Sequence, residues 1–146
     1  MNPRACSPQV IEFTPWWMTA RWMASQALWR LDPKEAKGLD GTFAYDWSPP
    51  SINRNNKLLT AGLRFNEPLP LHIHNTMSLG YVRNSLSPQF LPPGMPAWKT
   101  EQGVELNALL DFLPMLVLQP LIQYYTNVGG APSSAVVFGF RTKVDF

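Results

Sequence analysis

From Leu39 onward the odd positions read Leu39, Gly41, Phe43, Tyr45 and Trp47, and the even ones Asp40, Thr42, Ala44, Asp46 and Ser48. In an extended chain successive side chains point to opposite faces, so this alternation predicts a strand with one apolar and one polar face. The pattern recurs five times. Leu59, Ala61, Leu63 and Phe65 oppose Thr60, Gly62, Arg64 and Asn66; Met77, Leu79 and Tyr81 oppose Thr76, Ser78, Gly80 and Asn84. Val104, Leu106, Ala108, Leu110 and Phe112 oppose Gly103, Glu105, Asn107 and Asp111. Leu116, Leu118, Pro120, Ile122 and Tyr124 oppose Gln119 and Gln123, and Val136, Phe138, Phe140, Val144 and Phe146 oppose Gly139, Arg141, Lys143 and Asp145.

The stretch Trp17 to Leu31 is less regular. Met18, Ala20, Trp22, Ala24 and Leu28 share one strand face with Gln26 among them, although the absence of Gly and Pro also suits a helix. Beside six strands it is assigned as a seventh. Pro-, Asn- and Gly-rich connections such as 48–56, 66–70, 87–96 and 127–134 separate the segments. The expectation is an all-β, antiparallel fold of seven segments, each roughly 9–12 residues, about the span of a tilted membrane strand. Residues 1–16, with Pro3, Pro8 and Pro15, are expected to be irregular, and 17–146 to form the sheet.

Alternation is shared by two architectures. A soluble sandwich turns its apolar faces inward, whereas an outer-membrane barrel turns them to lipid and lines a wet lumen with its polar faces. Three features favour the barrel. The segments are long for a soluble domain, where strands are mostly about 5–6 residues. The polar positions carry Thr, Ser, Asn, Gln and Gly more than Lys or Glu. The last segment keeps its alternation up to a C-terminal Phe146.

Composition fits this reading. Charged residues make up 15% of the 146, well below the average of about 25%, while the apolar share is an ordinary 45%. The most apolar stretch, Ala108 to Tyr125, is broken by Asp111, Pro114, Gln119 and Pro120, so no helix spans a bilayer. A net charge of +2 leaves no footprint for nucleic acid, and 18 aromatic residues argue against disorder. The single cysteine, Cys6, allows neither an internal disulfide nor a cysteine-based zinc site. The first residues lack the continuous apolar segment of a secretion signal.

The blocks 101–106 (EQGVEL), 118–130 (LQPLIQYYTNVGG) and 136–146 (VVFGFRTKVDF), supported upstream by 24–30 (ASQALWR) and 76–81 (TMSLGY), resemble the carbohydrate-selective porin (OprB) family. The resemblance implies an outer-membrane channel that passes small sugars by passive diffusion, with no enzymatic chemistry, no cofactor and no metal. It implies a barrel of about 16 strands, of which this chain supplies about seven. The expectation is therefore a C-terminal portion whose signal peptide and N-terminal strands, or oligomer partners, are missing from it. It also implies that Phe138, Phe140, Val144 and Phe146 form the C-terminal signal read by the barrel-assembly machinery. Leu121 departs from the family, standing where an acidic residue is expected.

By strand parity Asp40, Asp46, Arg64, Glu105, Asp111, Gln119, Gln123, Arg141, Lys143 and Asp145 line the lumen, with Arg141 and Lys143 the candidates for tuning selectivity because charged rings set pore preference. Phe43, Tyr45, Trp47, Tyr81, Tyr124 and Tyr125 are candidates for interfacial aromatic girdles. His72 and His74 lack a third ligand and read as turn residues. Glu105 and Asp111 lie six residues apart on one strand, about 20 Å, too far to act on one glycosidic bond. With Phe146 at the periplasmic side, 127–134 and 86–100 are outer loops and 112–115 an inner turn. Other architectures for the same pattern are a small complete barrel with a structural or adhesive role, which needs an eighth strand from 3–16, and a soluble sandwich that binds ligands.

Overall fold

The computed structural model describes residues 12–14, 19–31, 37–70, 73–90, 100–113 and 115–144. These form one antiparallel sheet in simple up-and-down order. Its strands are β1 (Glu12–Thr14), β2 (Thr19–Arg30), β3 (Gly38–Trp47), β4 (Asn55–Asn66), β5 (Asn75–Leu86), β6 (Thr100–Leu113), β7 (Leu116–Thr126) and β8 (Ser134–Val144). All seven long strands match the expected segments. The stretch from Thr19 is strand rather than helix: it pairs with β3 from Ala20 to Arg30, apart from the bulge at Leu28, which satisfies the backbone groups facing β3. The segment expected to be irregular contributes the three residues of β1, which pair with Thr19–Arg21 only. No helix of the described residues is long and apolar enough to cross a membrane.

Register departs from ideal where the sequence forces it. Ala27 pairs with Asp40 but Trp29 with Leu39, so Leu28 is an extra residue in a bulge. Leu28 stays on the apolar side, over Gly41, where an added Cβ would come within 3.0 Å of Leu28 Cδ1. Pro120 has no N–H to give. The β6–β7 pairing lapses around it, between Asn107–Leu121 and Leu110–Leu118, while Pro120 still pairs with Phe140 of β8.

The connections at one end of the sheet span 31–37, 67–74 and 114–115; those at the other span 48–54, 87–99 and 127–133. The 67–74 connection, long for a tight turn, is gathered around Asn75, which is 2% exposed. The Asn75 amide donates to the carbonyls of Leu69 (3.2 Å) and Ile73 (3.1 Å) and accepts from the Leu69 N–H at 3.1 Å. At the opposite end the fully buried Ser87 ties β5 to the β3–β4 connection, its hydroxyl donating to Pro50 O at 2.6 Å and its N–H to Arg54 O at 2.7 Å. In the loop after β7 the Gly129 N–H donates to Glu101 on β6 at 2.6 Å.

Gly38 opens β3 with φ 152°, where a Cβ would sit 2.2 Å from Trp29 O. Strain of this kind costs about 1–3 kcal/mol. Gly38→Ala is expected to lower the thermal unfolding temperature of the assembled protein, and Gly80→Ala, with no contact closer than 3.9 Å, to leave it nearly unchanged. Heat-modifiable gel mobility checks both.

Candidate functional site

The sheet has no dry core. Among the described residues Leu86, 4% exposed, is the single buried apolar side chain. The large apolar residues lie open instead: Phe138 is 78% exposed, Phe140 66% and Trp22 59%. Cross-strand register gathers them on one face. Leu63 pairs with Leu79, Leu79 with Leu106, Leu106 with Ile122 and Ile122 with Phe138. The next row runs from Ala24 through Phe43, Ala61, Tyr81, Val104 and Tyr124 to Val136.

The apolar band crosses the register obliquely. On β3 it runs from Leu39 to Trp47, centred on Phe43. Phe43's row reaches β8 at Val136, yet the apolar positions of β8 run from Val136 to Val144 and centre on Phe140, four residues further along. At the other margin, Tyr45 and Leu59 share a row with Arg83 of β5 and Gln102 of β6. A band of constant height must migrate along the register in this way when strands tilt across it.

The opposite face is polar and hydrogen-bonded across strands. Asp40 receives Arg30 and, at 2.7 Å, the Asn66 amide. Asp46 pairs with Arg21 at 2.6 Å. Glu105 accepts from the side chains of Gln123 and, at 2.7 Å, Asn107, whose own oxygen accepts from Gln119 at 3.5 Å. Gln119 in turn sits opposite Arg141, and Val117 separates Asp111 from Lys143 in the row below. All these residues are more than slightly exposed, and attractions between open ion pairs are worth about 0–1 kcal/mol. Their effect is to order the polar wall rather than to stabilise the sheet.

Register thus places Asp40, Asp46, Arg64, Glu105, Asp111, Gln119, Gln123, Arg141 and Lys143 on this one face. Asp145 and Phe146 lie outside the described residues, as does His72. Phe138, Phe140 and Val144 share the apolar face. Of the aromatic candidates, Tyr125 alone turns to the polar face, in the row of Val82, Gly103 and Ala135. Its ring lies over Gly103, where a Cβ would meet Tyr125 Cε1 at 2.5 Å. Leu121 covers Gly139 on the same face, a Cβ there lying 2.8 Å from Leu121 Cδ1. His74 donates to or accepts from Glu67 at 2.8 Å in its turn, and no group of three or more metal-ligating side chains occurs among the described residues.

Sequence reasoning missed the polar-face roles of Asn66, Asn107 and Tyr125. Parity places all three there, but their partners lie on neighbouring strands, where only the register shows them.

Long antiparallel strands with a bare apolar face backed by a hydrogen-bonded polar one make a segment of a porin barrel wall. The chain belongs to the carbohydrate-selective porin, OprB family, whose model matches residues 18–146. No curated protein and no solved structure matches it.

Proposed function

We propose that this chain forms part of the wall of an outer-membrane channel through which small sugars diffuse, and that it catalyses no reaction. The observation that carries this reading is the exposed, obliquely banded apolar face backed by a polar one. A soluble sandwich needs the same apolar residues packed in a core, and the exposed Phe138, Phe140 and Leu106 have none. Family membership supports sugars as the permeants. Outer-membrane barrels have short inner turns and longer outer loops. The two-residue connection 114–115 and the C-terminal end of β8 therefore face the periplasm, and connection 87–99 faces outward.

Bound cofactors have no part in this function, since diffusion through a hydrated lumen needs only hydrogen-bonding walls. The free edges of the sheet are met by further barrel strands, and Phe138, Phe140 and Val144 present the apolar face that, with Phe146 following in the sequence, barrel assembly recognises. Proteoliposomes carrying the assembled channel are expected to swell faster in isosmotic hexose than in a disaccharide, and not at all in a large dextran. Equal swelling by protein-free vesicles would contradict the reading.

A further inference from the structure

At the end of the sheet that carries connections 31–37 and 67–74, a cavity of about 280 Å³ lies where the apolar face gives out. Trp29, Leu31, Phe65 and Leu69 give it apolar walls, and Lys37 and Glu67 add one charge of each sign. Trp29 and Phe65 flank Leu39 in a single cross-strand row of the apolar face. Phe65 is the last apolar position of β4, followed by Asn66 and Glu67. All four apolar side chains are exposed. Tryptophan beside charges at the margin of a hydrocarbon-facing band marks the boundary between acyl chains and headgroups.

Two features of this cavity are unexplained by folding alone. Glu67 holds φ 54°, in the left-handed region that glycine and asparagine occupy at less cost. Its backbone is pinned there by its N–H, which donates to Asn75 O at 2.7 Å. What glutamate provides at that position is a carboxylate. Lys37 is the second. Its Nζ lies 3.7 Å from Glu67 Oε2, too long for a hydrogen bond, while Glu67 Oε1 meets His74 Nδ1 at 2.8 Å. The Lys37 ammonium makes no hydrogen bond among the described residues, so its three donors stand beside a carboxylate oxygen that is only partly used.

A ligand that completes this open pair brings an anion to Lys37 and an N–H cation to Glu67. A phosphate joined through two carbons to a primary ammonium supplies both, side by side as the pair requires. Acyl chains attached to that phosphate then run past Trp29 and Phe65 into the apolar band. The volume falls near the lower end of about 300–1,000 Å³ for small-molecule sites, so the cavity takes a headgroup and not a whole lipid. The two protein charges cancel. A headgroup of net negative charge meets Glu67 unfavourably, and a trimethylammonium has no N–H to give its carboxylate.

We propose that this cavity holds the headgroup of one phosphatidylethanolamine molecule of the surrounding bilayer, with its phosphate on Lys37 and its ammonium on Glu67. The inference rests on the lipid-facing reading of the sheet and adds to it a headgroup-selective site.

The test is native mass spectrometry of the assembled channel, equilibrated in mild detergent with an equimolar mixture of phosphatidylethanolamine, phosphatidylcholine and phosphatidylglycerol of matched chains. Wild type should retain the ethanolamine lipid roughly tenfold over either of the others, the worth of one hydrogen bond to a charged group. Lys37→Gln and Glu67→Gln should each abolish that preference. Lys57→Gln, which removes an exposed lysine from the apolar face at the opposite end of β4, should keep it. Should Glu67→Gln fail to assemble, Lys37→Gln decides the matter. Equal retention of the three lipids by wild type overturns the site and leaves the channel standing. So does a preference that Lys37→Gln leaves intact, or one that Lys57→Gln also removes. A channel that stays folded and monodisperse with neither detergent nor lipid overturns the lipid-facing reading and the site together.

Discussion

An arginine at Phe138 is expected to prevent recovery of the folded protein from the outer membrane, whereas one at the adjacent Val137 is expected to leave it assembled. Both side chains are exposed, at 78% and 42%. For a sheet surrounded by water the two substitutions are equivalent. They differ only if the faces meet different media. Phe138 lies in the apolar row of Leu63, Leu79, Leu106 and Ile122, near the middle of the band, and Val137 in the polar row of Glu105 and Gln123. A lipid-facing arginine near the bilayer midplane costs about 2–4 kcal/mol, equivalent to a roughly 30- to 1,000-fold loss of folded protein. At Val137 the guanidinium meets lumen water beside acceptors. Membrane fractionation with heat-modifiable gel mobility separates the outcomes.

The isolated 146-residue chain is expected to give no stable, sugar-blockable current steps in a planar bilayer. β8 pairs with β7 alone among the described residues, and β1 covers β2 only at Thr19–Arg21. Both edges leave rows of N–H and C=O groups without partners. In hydrocarbon each unsatisfied group costs several kcal/mol, so an open sheet edge does not persist there. Seven long strands with two such edges need closing strands, from the same polypeptide or another, before they form a pore. Single-channel recording on the purified chain tests this: steady hexose-sensitive steps would show that the chain closes by itself.

The alternation that defines the strands was plain in the sequence because its period is two, and a strand with two environments has no other pattern available. Parity then placed Asp40, Arg64, Glu105 and Gln123 on one face. Parity fails at bulges. The extra residue at Leu28 keeps both Leu28 and Trp29 on the apolar side, an outcome decided by pairing with Leu39 and contact with Gly41, not by local composition. The polar face also holds Val82, Leu109, Val117 and Val137, which no alternation marks as polar. Tyr125 reads like its neighbour Tyr124, yet faces the other way to cover Gly103. The pairing of Gly62 with Gly80 was equally hidden, since the two lie 18 residues apart and meet only through the β4–β5 register.

The most direct test reads the medium at each position of β8. In a Cys6→Ser background, single cysteines from position 135 to 143 carry a nitroxide, and collision rates with oxygen and with a water-soluble nickel chelate are measured in the reconstituted channel. Labels at 136, 138, 140 and 142 should collide mainly with oxygen, which concentrates among acyl chains, and those at 135, 137, 139, 141 and 143 mainly with nickel. A profile without this two-residue oscillation, or with its phase reversed, would contradict a wall that separates lipid from a water-filled passage.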